Sequence, residues 1–442
     1  MNIFSKLNLS ENAVKVTKNI GWALLGKVAT LLGSFIVGIF VARYLGPEQY
    51  GLMSYVIAYV SIFQTLALFG MDNIEIREEA KNKEERDAII GTAFVLKLIF
   101  AIITILLIYI LLQFSDNDIF TQRMIMLYSI SIICNCFFVA RNYFTSIVWN
   151  EYVVKTEIAR TVIGVIIKIF LLVIHANLSW FIAAMTFDFV LLASGYCFSY
   201  SRKIDKITLW CFDIKWAKYL IKQSFPLMLS LSAVVIMQRI DQLMISKMIG
   251  TENVGQYSVA FKFVEVMIFV PTIIAQTISP VLVKIRNENK DEYVGKSQIF
   301  MDLTVWICVI MAIVVCIIAY PLVRFTFGEQ YLHAVPVLQI MAFKVVGDAL
   351  SQTSGQLMII EGTQKYAVIR NIVGCICCIF LNLLLIPKNG IIGSSIVSVI
   401  SLFVSGFLVN ALIPKYKQIF LQQTKAILFG WKNLLKIKSL VK

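Results

Sequence analysis

The chain has 442 residues, of which 59% are hydrophobic and only 15% are charged. Soluble domains are about 45–50% apolar and about 25% charged, so this composition excludes a soluble globular protein and indicates a polytopic membrane protein. The N-terminal stretch has no small-residue cleavage site after an apolar run, and we therefore predict no removable signal peptide.

Long apolar runs follow one another along the whole chain. A membrane-spanning helix needs about 20 mostly apolar residues, whereas the strands of a membrane β-barrel are about 10 residues long and alternate strictly. The sequence contains twelve runs of the helical kind, at 20–44, 51–71, 89–112, 124–147, 159–175, 181–200, 223–249, 256–281, 298–319, 337–360, 366–386 and 391–412. The prediction is an all-α integral membrane protein with twelve transmembrane helices.

The basic residues indicate how these helices are oriented. The loops after the odd-numbered runs hold only Arg43, Arg123, Arg324 and Lys388, whereas the two tails and the loops after the even-numbered runs hold most of the 40 Lys and Arg. Basic loops remain in the cytoplasm, so both termini are predicted to be cytoplasmic. The net charge of +14 is then mainly an orientation signal, and no nucleic-acid partner is predicted.

Two similar turns lie 204 residues apart, LGPEQYG at 45–51 and IGTENVG at 249–255. Both have the pattern G-x-E-x-x-G between apolar runs, and each lies between the first and second runs of a group of six. This repetition predicts two six-helix lobes related by a pseudo-two-fold axis along the membrane normal, an arrangement used by transporters whose substrate site lies between the halves. Two coincidental tight turns are the alternative interpretation.

The repeat divides the chain into four predicted segments: an N-lobe at 1–200, a basic cytoplasmic linker at 201–222, a C-lobe at 223–412 and a basic cytoplasmic tail at 413–442. The linker and the tail both mix Trp, Phe and Leu with Lys. This mixture predicts amphipathic segments that lie on anionic membrane lipids, with plain connectors as the alternative.

Motifs for catalysis or cofactor binding are lacking. The sequence has no Walker A motif and no H-E-x-x-H, and His175 and His333 are its only histidines. The cluster CICC at 375–378 lacks partner His or Cys residues at zinc spacing, and we interpret it as small apolar packing. We therefore predict a protein that is not an enzyme and has no cofactor or metal site.

Ionisable residues inside the runs are the strongest candidates for function, because each costs about 2.5–3.5 kcal/mol on insertion scales near a helix centre. The first half contains Lys27, Lys97, Arg141 and Lys168, and Asp188 is its only acid within a run. No cation of this half has an acid three or four residues away within its own run. We therefore expect uncompensated cations that line a cytoplasmic vestibule and attract an anionic headgroup. Snorkelling of these side chains to the interface is the alternative.

The second half has more local compensation. Lys262 and Glu265 are three residues apart, and Lys344 and Asp348 are four apart, so each pair can meet on one helix face. Arg239 is two residues from Asp241, and these two side chains point to different faces.

Several motifs resemble the Wzx-type oligosaccharide flippases of the multidrug/oligosaccharidyl-lipid/polysaccharide exporter superfamily. They are VARYLGPEQYG at 41–51, RIDQLMI at 239–245, VGQYSVAFKFVE at 254–265, FGEQY at 327–331 and LNLLLIPKNGIIGSS at 381–395. The resemblance implies a two-lobed twelve-helix fold, a cationic cavity, and movement of an undecaprenyl-diphosphate-linked oligosaccharide by alternating access, with proton or cation coupling. The motif positions to which the family's pattern is carried over are Arg43 and Gly46 in the first motif and Arg239 and Asp241 in the second.

The resulting hypothesis is a lipid-linked oligosaccharide flippase of the bacterial plasma membrane. The candidate substrate-binding residues are Lys27, Lys97, Arg141, Lys168 and Arg239. The candidate coupling residues are Asp188, Asp241 and Asp348. On this hypothesis, changing Lys97, Arg141 and Lys168 together to Gln abolishes transport and leaves folding intact.

Three alternatives remain open at the level of sequence. They are a drug or cation antiporter of the same fold, a peptidoglycan-precursor flippase, and an integral-membrane glycan polymerase or ligase. An acid-dominated cavity would favour the antiporter, additional spans would favour the second, and catalytic outer loops would favour the third.

Overall fold

A computed structural model describes the backbone of residues 11–436 and the side chains of residues 30–363 and 365–434. Within these residues the structure is helical and contains no β-strand. The helices are α1 (Glu11–Leu68), α2 (Asp72–Lys81), α3 (Arg86–Gln113), α4 (Ile119–Asn135), α5 (Val139–Ser146), α6 (Asn150–Val173), α7 (Leu178–Lys203), α8 (Ile214–Ile249), α9 (Thr251–Glu288), α10 (Lys290–Thr326), α11 (Ala334–Met341), α12 (Lys344–Ile360), α13 (Ala367–Phe403), α14 (Val409–Leu412) and α15 (Lys417–Phe429). The predicted all-α class is confirmed.

Nine helical stretches of the described region are long and apolar enough to cross a membrane. Two of them are much longer than one crossing needs, and each is interrupted inside. The backbone leaves the helical conformation at Gly46 (φ 72°, ψ 172°) in α1 and at Gly390 (φ 56°, ψ −139°) in α13. Because positive φ values are strained for residues with a Cβ, glycine allows both interruptions at little cost.

The chain divides into two compact units. The first contains the described part of Met1–Tyr44 together with Tyr59–Leu231, and the second contains Leu45–Ala58 with the described part of Ser232–Lys442. The boundaries therefore fall inside α1 and α8.

In the first unit, α7 packs against α4 and α6, and α2 packs against α3 and α5. The fully buried Met71, Ile90, Phe144 and Tyr200 form part of its core. The short polar helix α2 follows α1 because Phe69 and Gly70 both adopt positive φ and end that helix. This turn brings the acidic residues of α2 to the α3 and α5 surfaces.

Part of the predicted linker at 201–222 packs onto the first unit, although most of its side chains are exposed. Helix α7 continues to Lys203, α8 already begins at Ile214, and Leu220 is completely buried. The Trp210 ring contacts the rings of Phe94 and Tyr200. Two of the apolar side chains that the sequence pattern assigns to lipid, Trp210 and Leu220, thus contribute to a protein core, whereas Leu209 and Phe212 are about half exposed.

In the second unit, α9 packs against α10, α11 and α12, and α15 packs against α10. Helix α15 turns polar side chains inward. Its buried Gln423 donates from Nε2 to the carbonyls of Leu350 and Gly406, at 3.0 and 2.7 Å, while Leu421 and Leu428 are exposed. A helix with polar side chains towards the protein and apolar side chains on its outer face can contact protein on one side and lipid on the other.

The two repeated turns meet each other inside the second unit. A Cβ atom on Gly51 would overlap the carbonyl oxygen of Thr251, and one on Gly255 would overlap the carbonyl oxygen of Pro47. Thr251 lies 204 residues after Pro47, the same offset that separates the glycines. The contact is therefore reciprocal, and its closeness depends on glycine at both positions.

Candidate functional site

Lys97 of α3 lies at the centre of a buried ionic cluster in the first unit. Its side chain is fully buried, and its Nζ atom is 2.7 Å from Asp72 Oδ1 and 2.7 Å from Glu75 Oε1. Asn142 of α5 donates from Nδ2 to the same two carboxylates, at 3.0 and 2.7 Å. The two acids are three residues apart on α2, so they lie on one helix face, and the cluster joins three helices.

Lys168 of α6 is also paired. Its Nζ atom is 2.6 Å from Asp188 Oδ2 on α7, and neither side chain is more than about a fifth exposed. Gly164 lies one turn before Lys168, and a Cβ atom there would overlap the Asp188 carboxylate. The missing side chain at Gly164 therefore gives Asp188 the space it needs to reach Lys168.

Arg141 has a looser partner. Its Nε atom is 3.9 Å from Glu157 Oε1, and its side chain is 41% exposed. The Tyr196 hydroxyl donates to the same oxygen of Glu157 at 3.3 Å. Arg141 thus retains more freedom than Lys97 or Lys168.

The expectation that the first-half cations are uncompensated is therefore wrong for Lys97, Arg141 and Lys168. Their partners lie on other helices, and the spacing rule of three or four residues detects only pairs within one helix. Because Lys97 compensates the acids of α2, we now expect its replacement with Gln to impair folding, which the triple substitution was expected to leave intact. The side chain of Lys27 lies outside the described residues.

In the second unit, two cations share one acid. Arg239 Nη2 is 3.1 Å from Glu265 Oε1, and Lys262 Nζ is 3.3 Å from Glu265 Oε2. The Arg239 guanidinium also lies over the Phe261 ring, 5.1 Å from its centroid. The predicted Lys262–Glu265 pair is confirmed. The group of Arg239, Lys262 and Glu265, called the Arg239 cluster below, carries one surplus positive charge, and its three side chains are 25–33% exposed.

Asp241 lies in a separate buried network. It accepts hydrogen bonds from the Tyr257 hydroxyl at 2.6 Å and from Asn382 Nδ2 at 2.6 Å. The Cys378 thiol lies 3.6 Å from Asp241 Oδ1 as a third donor, so this member of the CICC cluster makes a polar contact besides packing. The prediction that Arg239 and Asp241 point to different faces is confirmed.

Lys344 and Asp348 are both on α12. The Lys344 ammonium donates to Ser398 Oγ at 2.6 Å and lies 5.3 Å from the Phe261 ring centroid. Asp348 Oδ2 is buried and has no hydrogen-bond partner among the described residues. Lys344 therefore bonds to a hydroxyl on α13 rather than to the acid one turn away.

Sequence reasoning missed five ionisable residues of these sites. They are Asp72, Glu75, Glu79, Glu157 and Arg370. The polar composition of α2 suggested a connecting loop, but its acids repeat at intervals of three and four residues, which is the spacing of one helix face. Arg370 is 94% buried and donates to Ser354 Oγ at 3.0 Å.

Replacing Gly164 with Ala is expected to lower the free energy of unfolding by about 1 kcal/mol, because the added methyl group displaces the Asp188 carboxylate from Lys168. Thermal unfolding of the detergent-solubilised protein measures this loss. The loss should disappear in an Asp188→Ala background. Gly355→Ala is the matched control, because a Cβ atom there meets nothing within 4 Å. An equal loss with and without Asp188 would contradict the explanation.

Comparison with known proteins supports a transport class. The nine apolar helices of the described region and the full-length similarity to membrane transporters together identify a multi-pass membrane protein. The sequence model of the family described as "Polysaccharide biosynthesis protein" matches residues 16–286, which is more than half of the chain. The chain therefore belongs to the polysaccharide biosynthesis protein family. A second model, MatE, matches residues 226–384.

Individual relatives agree with this assignment. The chain is 24% identical over 409 residues to a putative O-antigen transporter of Shigella flexneri, covering 87% of this chain and 94% of that protein. It is 23% identical over 345 residues to a succinoglycan biosynthesis transport protein of Rhizobium meliloti (strain 1021), covering 75% and 66%. Among solved structures, a lipid II flippase in an inward closed conformation has a TM-score of 0.69 at 15% identity, covering 94% of this chain and 93% of that one.

Proposed function

We propose that this protein is a flippase that moves an undecaprenyl-diphosphate-linked oligosaccharide from the cytoplasmic to the outer leaflet of the bacterial plasma membrane by alternating access. The observation that carries the proposal is the similarity to an O-antigen transporter over 94% of that protein's length. Membership of the polysaccharide biosynthesis protein family supports it, and both point to a transporter rather than an enzyme.

The proposed topology has twelve spans in two six-helix lobes, with both termini in the cytoplasm. The nine long apolar helices of the described region support this number, because α1 and α13 each break at an internal glycine. Helix α6 adds a further stretch of 24 residues, whose several charges set it apart from the apolar helices. The distribution of Lys and Arg supports the orientation.

The Arg239 cluster is the proposed contact for the anionic diphosphate. Its two cations share one carboxylate, its side chains are partly accessible, and a guanidinium can bind phosphate oxygens in a bidentate manner. Lys27 remains a proposed contributor. Lys97, Arg141 and Lys168 are weaker candidates, because each has at least one acidic partner of its own, whereas Arg239 and Lys262 share a single carboxylate.

Asp188, Asp241 and Asp348 remain proposed sites for a coupling proton or cation. Asp241 is the most strongly engaged of the three in hydrogen bonds to neutral donors, and Asp348 keeps one oxygen without a partner among the described residues.

The linker and the tail are proposed to contact anionic lipids through their basic residues. The exposed Phe429 and Trp431 beside Lys432 support this for the tail.

Replacing Arg239 with Gln is expected to reduce transport at least about tenfold, because a hydrogen bond to a charged group contributes about 1.5–3 kcal/mol. Folding should persist, because Glu265 keeps Lys262 at 3.3 Å. The measurement is surface glycan in a flippase-deficient strain with a defined repeat unit, complemented with wild-type or variant protein at equal membrane abundance.

Two controls separate charge from structure. Arg324→Gln removes a cation that pairs with the exposed Glu329 and should leave transport unchanged. Arg239→Lys should recover part of the activity. Wild-type protein that fails to restore glycan in strains with different repeat units, but lowers drug accumulation, would replace the proposal with a drug antiporter.

A further inference from the structure

Three acidic side chains lie on one face of α2 in the first unit. Asp72, Glu75 and Glu79 follow one another at intervals of three and four residues, and an α-helix places such residues in a row. Glu75 is 0% exposed and Glu79 is 1% exposed. This face packs against α3 and α5, so Glu75 and Glu79 are inside the protein rather than in a solvated turn, whereas the side chain of Asp72 is 39% exposed.

Two of the three acids are compensated. The Lys97 ammonium lies 2.7 Å from both Asp72 and Glu75, and the Asn142 amide donates to both of these carboxylates. The Lys97 ammonium and the Asn142 amide are therefore both bound to Asp72 and Glu75, and neither donates to Glu79.

Glu79 is the member without compensation. Both of its carboxylate oxygens are buried and have no hydrogen-bond partner among the described residues. The Ser146 hydroxyl on α5, which faces Glu79, donates to the carbonyl of Tyr143 at 2.8 Å instead. Arg141 of the same helix is directed to Glu157.

The remaining charged groups around α2 are also engaged or exposed. Arg77 bonds to Glu78 at 2.8 Å, and the Tyr219 hydroxyl of α8 donates to the same carboxylate at 3.0 Å. In the turn after α2, the side chains of Lys83 and Glu84 are exposed.

An ionised carboxylate that is buried without a partner is so costly that such groups take up a proton instead. With Glu79 ionised, three carboxylates would face the single Lys97 ammonium. With Glu79 neutral, only the carboxylates of Asp72 and Glu75 share that ammonium, and Glu79 carries no charge. We propose that Glu79 is a proton-binding site of the first unit, and that its carboxyl group holds a proton in this conformation.

This site is separate from the Arg239 cluster, and proton occupancy does not depend on which substrate the chain carries. None of the coupling candidates drawn from the sequence lies on α2. Because the turn after α2 contains Lys83 and Arg86 and is proposed to face the cytoplasm, the proton would be exchanged with that side when α2 and α5 separate enough to admit water.

Infrared spectroscopy of the full chain in nanodiscs without substrate tests the proposal directly. A protonated carboxyl group has a carbonyl stretching band that a carboxylate lacks. The wild-type protein at neutral pH should show such a band, and Glu79→Gln should remove the intensity of one carboxyl group per chain. Glu84→Gln, which changes an exposed carboxylate five residues further on, should leave the band unchanged.

Thermal unfolding from pH 5 to pH 9 gives an independent readout. The wild-type midpoint should fall relative to that of Glu79→Gln as the pH rises, because unfolding releases the proton that the folded protein holds on Glu79, whereas the amide of the variant has no such proton to release. Parallel midpoints for the two proteins, or an unchanged band in Glu79→Gln, would overturn the proposal. If Glu79→Gln cannot be purified, Glu79→Asp replaces it in the infrared experiment. The proposal requires the carbonyl band of the protonated carboxyl group to shift in frequency in this variant. An unshifted band would refute it.

Discussion

Replacing Lys97 with Met is expected to lower the free energy of unfolding by about 3–5 kcal/mol, the range for removing one partner of a buried ion pair. The substitution leaves Asp72 and Glu75 without their ammonium, and Glu75 has no access to water. Heating the solubilised protein and measuring the fraction that remains monodisperse provides the comparison. The expected result is a large fall in the midpoint, together with low membrane abundance.

A compensating variant distinguishes loss of charge balance from loss of packing. Lys97→Met combined with Asp72→Asn and Glu75→Gln should recover most of the stability, because buried pairs can be replaced by neutral groups of similar volume at little cost. Lys83→Met removes an exposed cation near the same helix and should have no effect. A Lys97→Met protein as stable as the wild type would show that the ammonium does not compensate these acids.

Replacing both Gly51 and Gly255 with Val is expected to destabilise the second unit by about 2–6 kcal/mol and to abolish transport. Each added Cβ atom would overlap a backbone carbonyl oxygen, and backbone cannot move aside as a flexible side chain can. Overpacking of this kind costs about 1–3 kcal/mol per site. Thermal unfolding and surface glycan are the two measurements.

Gly295→Ala is the matched control for the glycine contact, because a Cβ atom there has no neighbour within 4 Å and its φ is not positive. It should be neutral or slightly stabilising, as alanine is the better helix former. The single variants Gly51→Val and Gly255→Val should have similar effects, because each glycine meets a carbonyl of the other turn. A stable and active double variant would refute the close contact.

The membrane-spanning helices can be predicted from the sequence because the length and apolar character of each run are local properties of the chain. The predicted boundaries between 44 and 51 and between 386 and 391 enclose Gly46 and Gly390, where α1 and α13 leave the helical conformation. Glycine and proline mark such positions even when the apolar character of the two sides would permit one continuous helix.

The ionic partners could not be found in the same way. Asp72 and Lys97 are 25 residues apart on different helices, and pairing rules for one helix do not reach that far. Helix α2 also has too many charges to be recognised as a packed element from hydropathy. In contrast, Lys262 and Glu265 belong to one helix, and their spacing was sufficient to predict the pair.

The contact between the repeated turns is self-complementary, as are contacts between identical subunits about a two-fold axis. In a homodimer, any mutation in such an interface appears on both sides at once. Here both sides belong to one polypeptide, and their residues differ: Pro47 corresponds in position to Thr251, and Tyr50 to Val254. Because each turn is encoded separately within the chain, one side of this reciprocal contact can change without the other.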